Sequence, residues 1–144
     1  MKHIKLYEEF LNEEKTDLEK VTQNGWALRY VKDQTPEICL AAVNQEGYVL
    51  KFVKNQTPEI CLAGVTQNGL ALEYVKNQTP EICLVSVTQD GYALRYVKDK
   101  TPEIALAAVK QDGLSLEFVF VKDQTPEIIA AAVKQNSSAK KYIN

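Results

Sequence analysis

The sequence predicts an all-α protein: an α-solenoid of about five 22-residue helix-hairpin repeats between helical N- and C-terminal caps. Three observations carry this. The stretch Gln34-Thr-Pro-Glu-Ile-Cys-Leu-Ala-Ala-Val43 returns in near-copy at Gln56, Gln78, Lys100 and Gln124. Self-similarity at a fixed period marks units that bury their apolar faces only against their neighbours. Each copy opens on Thr-Pro-Glu, and a glycine recurs at Gly25, Gly47, Gly69, Gly91 and Gly113, so helix starts and stops repeat in register.

Counted from the valine that closes the signature, the repeats are 21–42, 43–64, 65–86, 87–108 and 109–132, followed by a C-terminal half-repeat at 133–144 and preceded by a capping region at 1–20. The fifth repeat carries two extra residues within Leu116-Glu-Phe-Val-Phe-Val121. Two added residues rotate the following helical positions by about 200°, so a loop or bulge has to absorb them. The plain reading is neutral drift in a connection, and the sharper alternative is a bend or a dimer contact exposing Phe118 or Phe120.

In each repeat, threonine is placed as N-cap, proline at the first helical position where its missing N–H costs nothing, and glutamate in the first turn facing the positive helix end. Helix A then runs to about Gln45, where Gly47 and its equivalents are expected as left-handed C′ residues. Helix A is apolar nearly all round (Ile38, Cys39, Leu40, Ala41, Ala42, Val43), which calls for burial between neighbours. The segment Trp26-Ala-Leu-Arg-Tyr-Val-Lys32 reads as a second helix of seven or eight residues with one apolar face. Neither helix is long enough to persist alone in water.

At the N-terminus, Ile4, Leu11 and Leu18 fall seven apart beside Tyr7, an amphipathic helix able to cover the first repeat. Thr16-Asp-Leu-Glu19 has capping-box spacing, so a second helix restarts there. The last half-repeat has Ser137 for glycine and Lys140 for leucine, a polar closing unit.

A formal net charge of -2 provides no global field for nucleic acid, which is an unfavoured partner. With no run of 18 apolar residues, no membrane-spanning helix is expected, and the Leu6-Tyr-Glu-Glu-Phe10 stretch is unlike a secretory signal. Cys39, Cys61 and Cys83 recur in one slot; helices stacked ~8–10 Å apart hold their Cα atoms beyond the ~7 Å reach of a disulfide. Since the slot continues as Ala105 and Ile129, buried free thiols are expected, with no metal and a reducing, cytoplasmic setting.

The pattern Ala-Val-x-Gln-x-Gly-x-Ala-Leu-x-Tyr-Val, as in Ala42 to Val53 and Ser86 to Val97, resembles an uncharacterised helical repeat family, a domain of unknown function frequent in giant viruses, protists and some bacteria and phages. The resemblance covers residues 21 to about 143. It implies a helical repeat and a viral or microbial origin, and no activity.

Function is sought in slots that the scaffold leaves free to vary. Trp26, Tyr48, Leu70, Tyr92 and Leu114 fill one, and Arg29, Lys51, Glu73, Arg95 and Glu117 another three residues on, forming a candidate partner-binding stripe. The competing structural account has Trp26 fold back on Val21 and Tyr48 on Val43. The aromatic slot Tyr30, Phe52, Tyr74, Tyr96, Phe118 and Tyr142 is expected as core stacking, and Gln23, Gln45, Gln67, Gln89, Gln111 and Gln135 as a structural ladder. Lys32, Lys54, Lys76, Lys98 and Lys122 are expected to pair with Glu37, Glu59, Glu81, Glu103 and Glu127. His3 is the sole histidine, and no phosphate loop or metal-ligand spacing occurs, so neither enzyme activity nor a cofactor is expected. The expected function is a non-enzymatic protein-protein interaction module, plausibly a viral or phage accessory protein acting on a host or defence protein. A self-assembling structural repeat protein is the alternative, and a nucleic-acid-binding solenoid the second.

Overall fold

The computed structural model describes Lys2, Ile4, Leu6 and residues 15–144. The expected N-terminal cap rests on Tyr7 and Leu11, which lie outside the described residues, as does His3. Six α-helices follow in order: α1 (Asp17–Gln23), α2 (Pro36–Gln45), α3 (Pro58–Gln67), α4 (Pro80–Gln89), α5 (Pro102–Gln111) and α6 (Pro126–Gln135). Each is followed by a six-residue 3-10 helix, at Gly25–Tyr30, Gly47–Phe52, Gly69–Tyr74, Gly91–Tyr96, Gly113–Phe118 and Ser137–Tyr142. No strand occurs among the described residues. Consecutive α-helices pack in one layer, consecutive 3-10 helices in a second, and each of the first five 3-10 helices also packs on the α-helix of the following unit. This is the all-α solenoid that the period predicts.

The helix starts are as read. The hydroxyl of Thr35 accepts from Ile38 N–H at 3.3 Å with Pro36 in the first turn, and the same cap recurs at Thr57, Thr79, Thr101 and Thr125. Thr16 and Glu19 close a reciprocal capping box.

The second element differs from expectation: it is a 3-10 helix, not a short α-helix. Residues three apart are buried, Gly47, Leu50 and Val53 in the second unit and Gly91, Leu94 and Val97 in the fourth, with Val49 and Ala93 buried beside them. Side chains three apart eclipse one another in a 3-10 helix, so this spacing lines up a single apolar edge that a 3.6-residue turn would smear round the cylinder. One extended residue, Glu46 at φ -151° and ψ 108°, is at once the C-cap of α2 and the N-cap of the next 3-10 helix.

The glycine expectation is also corrected, since no glycine has positive φ. These glycines are needed for close approach. A Cβ on Gly91 would stand 2.5 Å from the Ala108 carbonyl oxygen of the next unit, and one on Gly69 at 2.5 Å from that of Ser86. Such oxygens belong to helical backbone and cannot move aside. In the last unit Ser137 occupies the slot and is exposed, as are Lys140 in the leucine slot and Ile143 in the valine slot. The whole three-residue edge that is buried in earlier units thus turns outward there, as its polar sequence predicts.

The core is a stack of identical layers. Leu28, Leu50, Leu72, Leu94 and Leu116 are wholly buried, beside Val21, Val43, Val65, Val87 and Val109 from the α-helices. Gly64 in α3 leaves room for Leu50, whose Cδ1 would lie 2.4 Å from a Cβ there. Ser86, in the same slot, is buried and donates to the Gly69 carbonyl at 2.7 Å. Ser115 is buried with its hydroxyl unpartnered.

The expected Lys–Glu pairs do not form. Among the described residues the one ion pair is Lys20 with Asp17 at 3.7 Å. Instead, Lys54 Nζ donates to the Lys32 carbonyl of the preceding unit at 2.8 Å, and Lys98 Nζ to that of Lys76 at 3.2 Å. These two lysines cap loop carbonyls of the unit before, and the glutamates are exposed at their helix starts.

Cys39, Cys61 and Cys83 are free and buried. Each thiol points to a glutamine carbonyl oxygen five residues earlier, at 3.8, 3.7 and 3.6 Å. Burial pushes all three thiols up from their ordinary pKa, assisted at Cys83 by Asp99.

Two outcomes follow for stability. Gly91→Ala is expected to lower unfolding free energy by about 3 kcal/mol, whereas Ser137→Ala stays within about 0.5 kcal/mol; urea titration of both variants checks the difference. The native thiols hold their protons above the unfolded pKa of about 8.5, so their contribution is present at neutral pH and is lost as pH rises through the unfolded and then the native values. Stability should therefore fall more steeply above that pH in the native chain than in one with all three cysteines changed to alanine, as read by denaturation at stepped pH.

Candidate functional site

The ten stripe residues all lie on the 3-10 layer, at the second and fifth positions of each helix: Trp26 and Arg29, Tyr48 and Lys51, Leu70 and Glu73, Tyr92 and Arg95, Leu114 and Glu117. Positions three apart superpose along a 3-10 axis, so each unit presents one apolar or aromatic residue directly behind one charged residue. Glutamine side chains from adjacent units hold this layer in place. The Gly47 N–H donates to Gln67 Oε1 of the following unit at 2.6 Å, while the Phe52 carbonyl accepts from Gln34 Nε2 of the preceding loop at 2.9 Å. Gln89 and Gln56 do the same for Gly69 and Tyr74, and Gln111 and Gln78 for Gly91 and Tyr96. The Gln34 and Gln78 amides also accept the Lys54 and Lys98 N–H groups at 3.0 Å. The ladder expected at the helix ends is therefore present at Gln67, Gln89, Gln111 and Gln135, and a second ladder runs through the signature's first residue.

The rings of this row meet across unit boundaries. Trp26 meets Phe52 of the next unit edge-to-face at 6.1 Å, Tyr48 meets Tyr74 at 6.1 Å, and Tyr92 meets Phe118 at 5.0 Å. Of the sixth-position aromatics, Phe52, Tyr74, Tyr96, Phe118 and Tyr142 are half-buried and pack against the core while sharing this surface row, and Tyr30, with no 3-10 helix before it among the described residues, is 75% exposed. Phe52, Tyr74, Tyr96 and Phe118 thus join the face. Their signal in the sequence was the free exchange of Phe with Tyr, which suits a ring with one wet edge as well as it suits a core.

Charge collects over two parts of the row. Lys51 Nζ lies 5.1 Å from the Trp26 ring centre, 5.0 Å from Phe52 and 5.9 Å from Tyr74, with Arg29 4.9 Å over Tyr30. Arg95 lies 5.1 and 5.2 Å over Tyr92 and Tyr96 and donates to the Tyr92 hydroxyl at 2.7 Å. Unit three separates them with Leu70 and Glu73. There, desolvation first and the Glu73 carboxylate second push the Tyr74 phenol up from its ordinary pKa. The result is two cation-aromatic clusters divided by one acid, a surface suited to acidic and apolar groups of a partner.

Among the described residues no three of His, Cys, Asp and Glu stand close enough to hold a metal ion, and no helix is long and apolar enough to cross a membrane. A domain of unknown function (DUF4116) matches residues 79–123, which span α4, α5 and both of their 3-10 helices. The chain is similar to that family there. No curated protein and no solved structure matches.

Gln78 satisfies the Tyr96 carbonyl, the Lys98 N–H and the Cys83 thiol together. Gln78→Leu should cost about 2–3 kcal/mol through the unpaired backbone groups it leaves, and hydrogen exchange should rise at Lys98 while α4 keeps its protection.

Proposed function

We propose that the protein is a non-enzymatic protein-binding module that engages its partner through the 3-10 face. The observation that supports this most is the exposure of large aromatic residues, Trp26 at 38% and Tyr92 at 40%, each beside a cation, with the Tyr92 helix held at both ends by glutamine side chains. Tryptophan, tyrosine and arginine are the residues that most often anchor interfaces, and rigid presentation reduces the ordering cost of binding. The resemblance to a repeat family of viruses and microbes favours a host or defence protein as the partner.

End-to-end self-assembly is less well supported. The last unit places exposed Lys140 and Ser137 where stacking on a further unit uses buried leucine and glycine. Nucleic acid is disfavoured by the net charge of -2 and by Glu73 and Glu117 within the face.

Capture of partners from a native lysate, followed by titration of the partner identified, tests the reading. Trp26→Ala and Arg95→Ala should each weaken binding by about tenfold or more with unchanged melting temperature. Equal affinity in both variants, or retention of single-stranded nucleic acid in place of a protein, would overturn it.

A further inference from the structure

The two extra residues of the fifth repeat open a groove that the regular units lack. After Val119 the chain makes an additional 3-10 turn at Val121–Asp123, leaving Phe120 63% and Val121 56% exposed. Lys100 stands where other copies carry glutamine, directly before this irregularity in the stack. Gln78 bridges to the next unit, but Lys100 Nζ turns back to the Val97 carbonyl at 2.8 Å and lies 5.6 Å over the Phe120 ring. The thiol slot changes in the same unit, to Ala105, which needs no glutamine acceptor. Substitution and insertion therefore form one structural change.

The groove has a volume of about 480 Å³, within the range of small-molecule sites. Its cations are Arg95, Lys100 and Lys141, and its one acid is Glu117. None of the three cations makes an ion pair among the described residues; each rests instead on a ring, Lys141 at 4.8 Å from Tyr142. Half-buried Phe118 and Tyr142 and exposed Phe120 supply flat apolar surface beside them. Burial lowers the pKa of the Lys100 ammonium, a cost that a bound anion would relieve.

We propose that this groove binds a small planar anion of the nucleoside monophosphate class. The cations meet the phosphate, the rings stack on the base, and the Glu117 carboxylate accepts from a ligand hydroxyl or amino group. A bare anion would use the cations alone, and a neutral base the rings alone. This site adjoins the protein-binding stripe and shares Arg95 and Glu117 with it, whereas Lys100 and Phe120 lie outside the stripe.

Calorimetric titration of the full chain with AMP, adenosine and inorganic phosphate is the test. AMP should bind saturably, and adenosine and phosphate each more weakly by about tenfold or more. Lys100→Gln should weaken AMP binding by about tenfold or more, with an unchanged melting temperature because it installs the residue that other copies carry. Removing Phe120 and Val121 in that background restores the 22-residue spacing and should abolish binding. Absence of AMP binding, phosphate binding as tight as AMP, or unchanged AMP affinity in Lys100→Gln would each overturn the proposal. Loss of partner binding in Trp26→Ala with AMP binding intact would separate the two surfaces.

Discussion

A six-residue 3-10 helix has poor hydrogen-bond geometry and little stability of its own, and the constraint on which this structure depends is the pair of glutamine side chains that holds the 3-10 helices of units two, three and four. One amide comes from the loop before and one from the α-helix after, so the Gly47–Phe52 helix is fastened to both neighbours at once. Backbone groups that would otherwise be buried without partners are satisfied across unit boundaries. Each unit is incomplete alone, and its second layer exists only within the stack.

The same contacts account for where the sequence is uniform and where it changes. Glycine is retained wherever a following helix carbonyl sits about 2.5 Å from a Cβ position, and it yields to Ser137 in the last unit. Cysteine accompanies glutamine because its thiol points at the amide oxygen. In the fifth repeat Ile129 stands in the cysteine slot, and the Gln124 Oε1 is buried without a partner. At Lys100 the amide is missing altogether, beside the one insertion. What first reads as drift among copies is a set of coupled substitutions.

The cation-aromatic face is a product of this arrangement rather than of any one unit. Trp26 and Phe52 are 26 residues apart in the chain and meet because adjacent 3-10 helices stack. Lys51 reaches rings from three successive units, Trp26, Phe52 and Tyr74.

Much of the architecture was legible in the sequence. The 22-residue period, the threonine caps, the buried thiols and the polar last unit are local or periodic features, and the copies repeat the same signal. The 3-10 geometry, the role of the glycines, the lysine-to-carbonyl caps and the outward placement of Phe52 and Tyr74 were not. They depend on how closely one unit approaches the next, a distance that no single repeat encodes. Glycine reads alike whether it serves a left-handed turn or a 2.5 Å contact, and an aromatic reads alike in a core or along a half-wet row. The sequence by itself determined that identical units would stack. Only the tertiary structure decided that the second element would tighten to three residues per turn, because the bonds that hold it come from the units on either side.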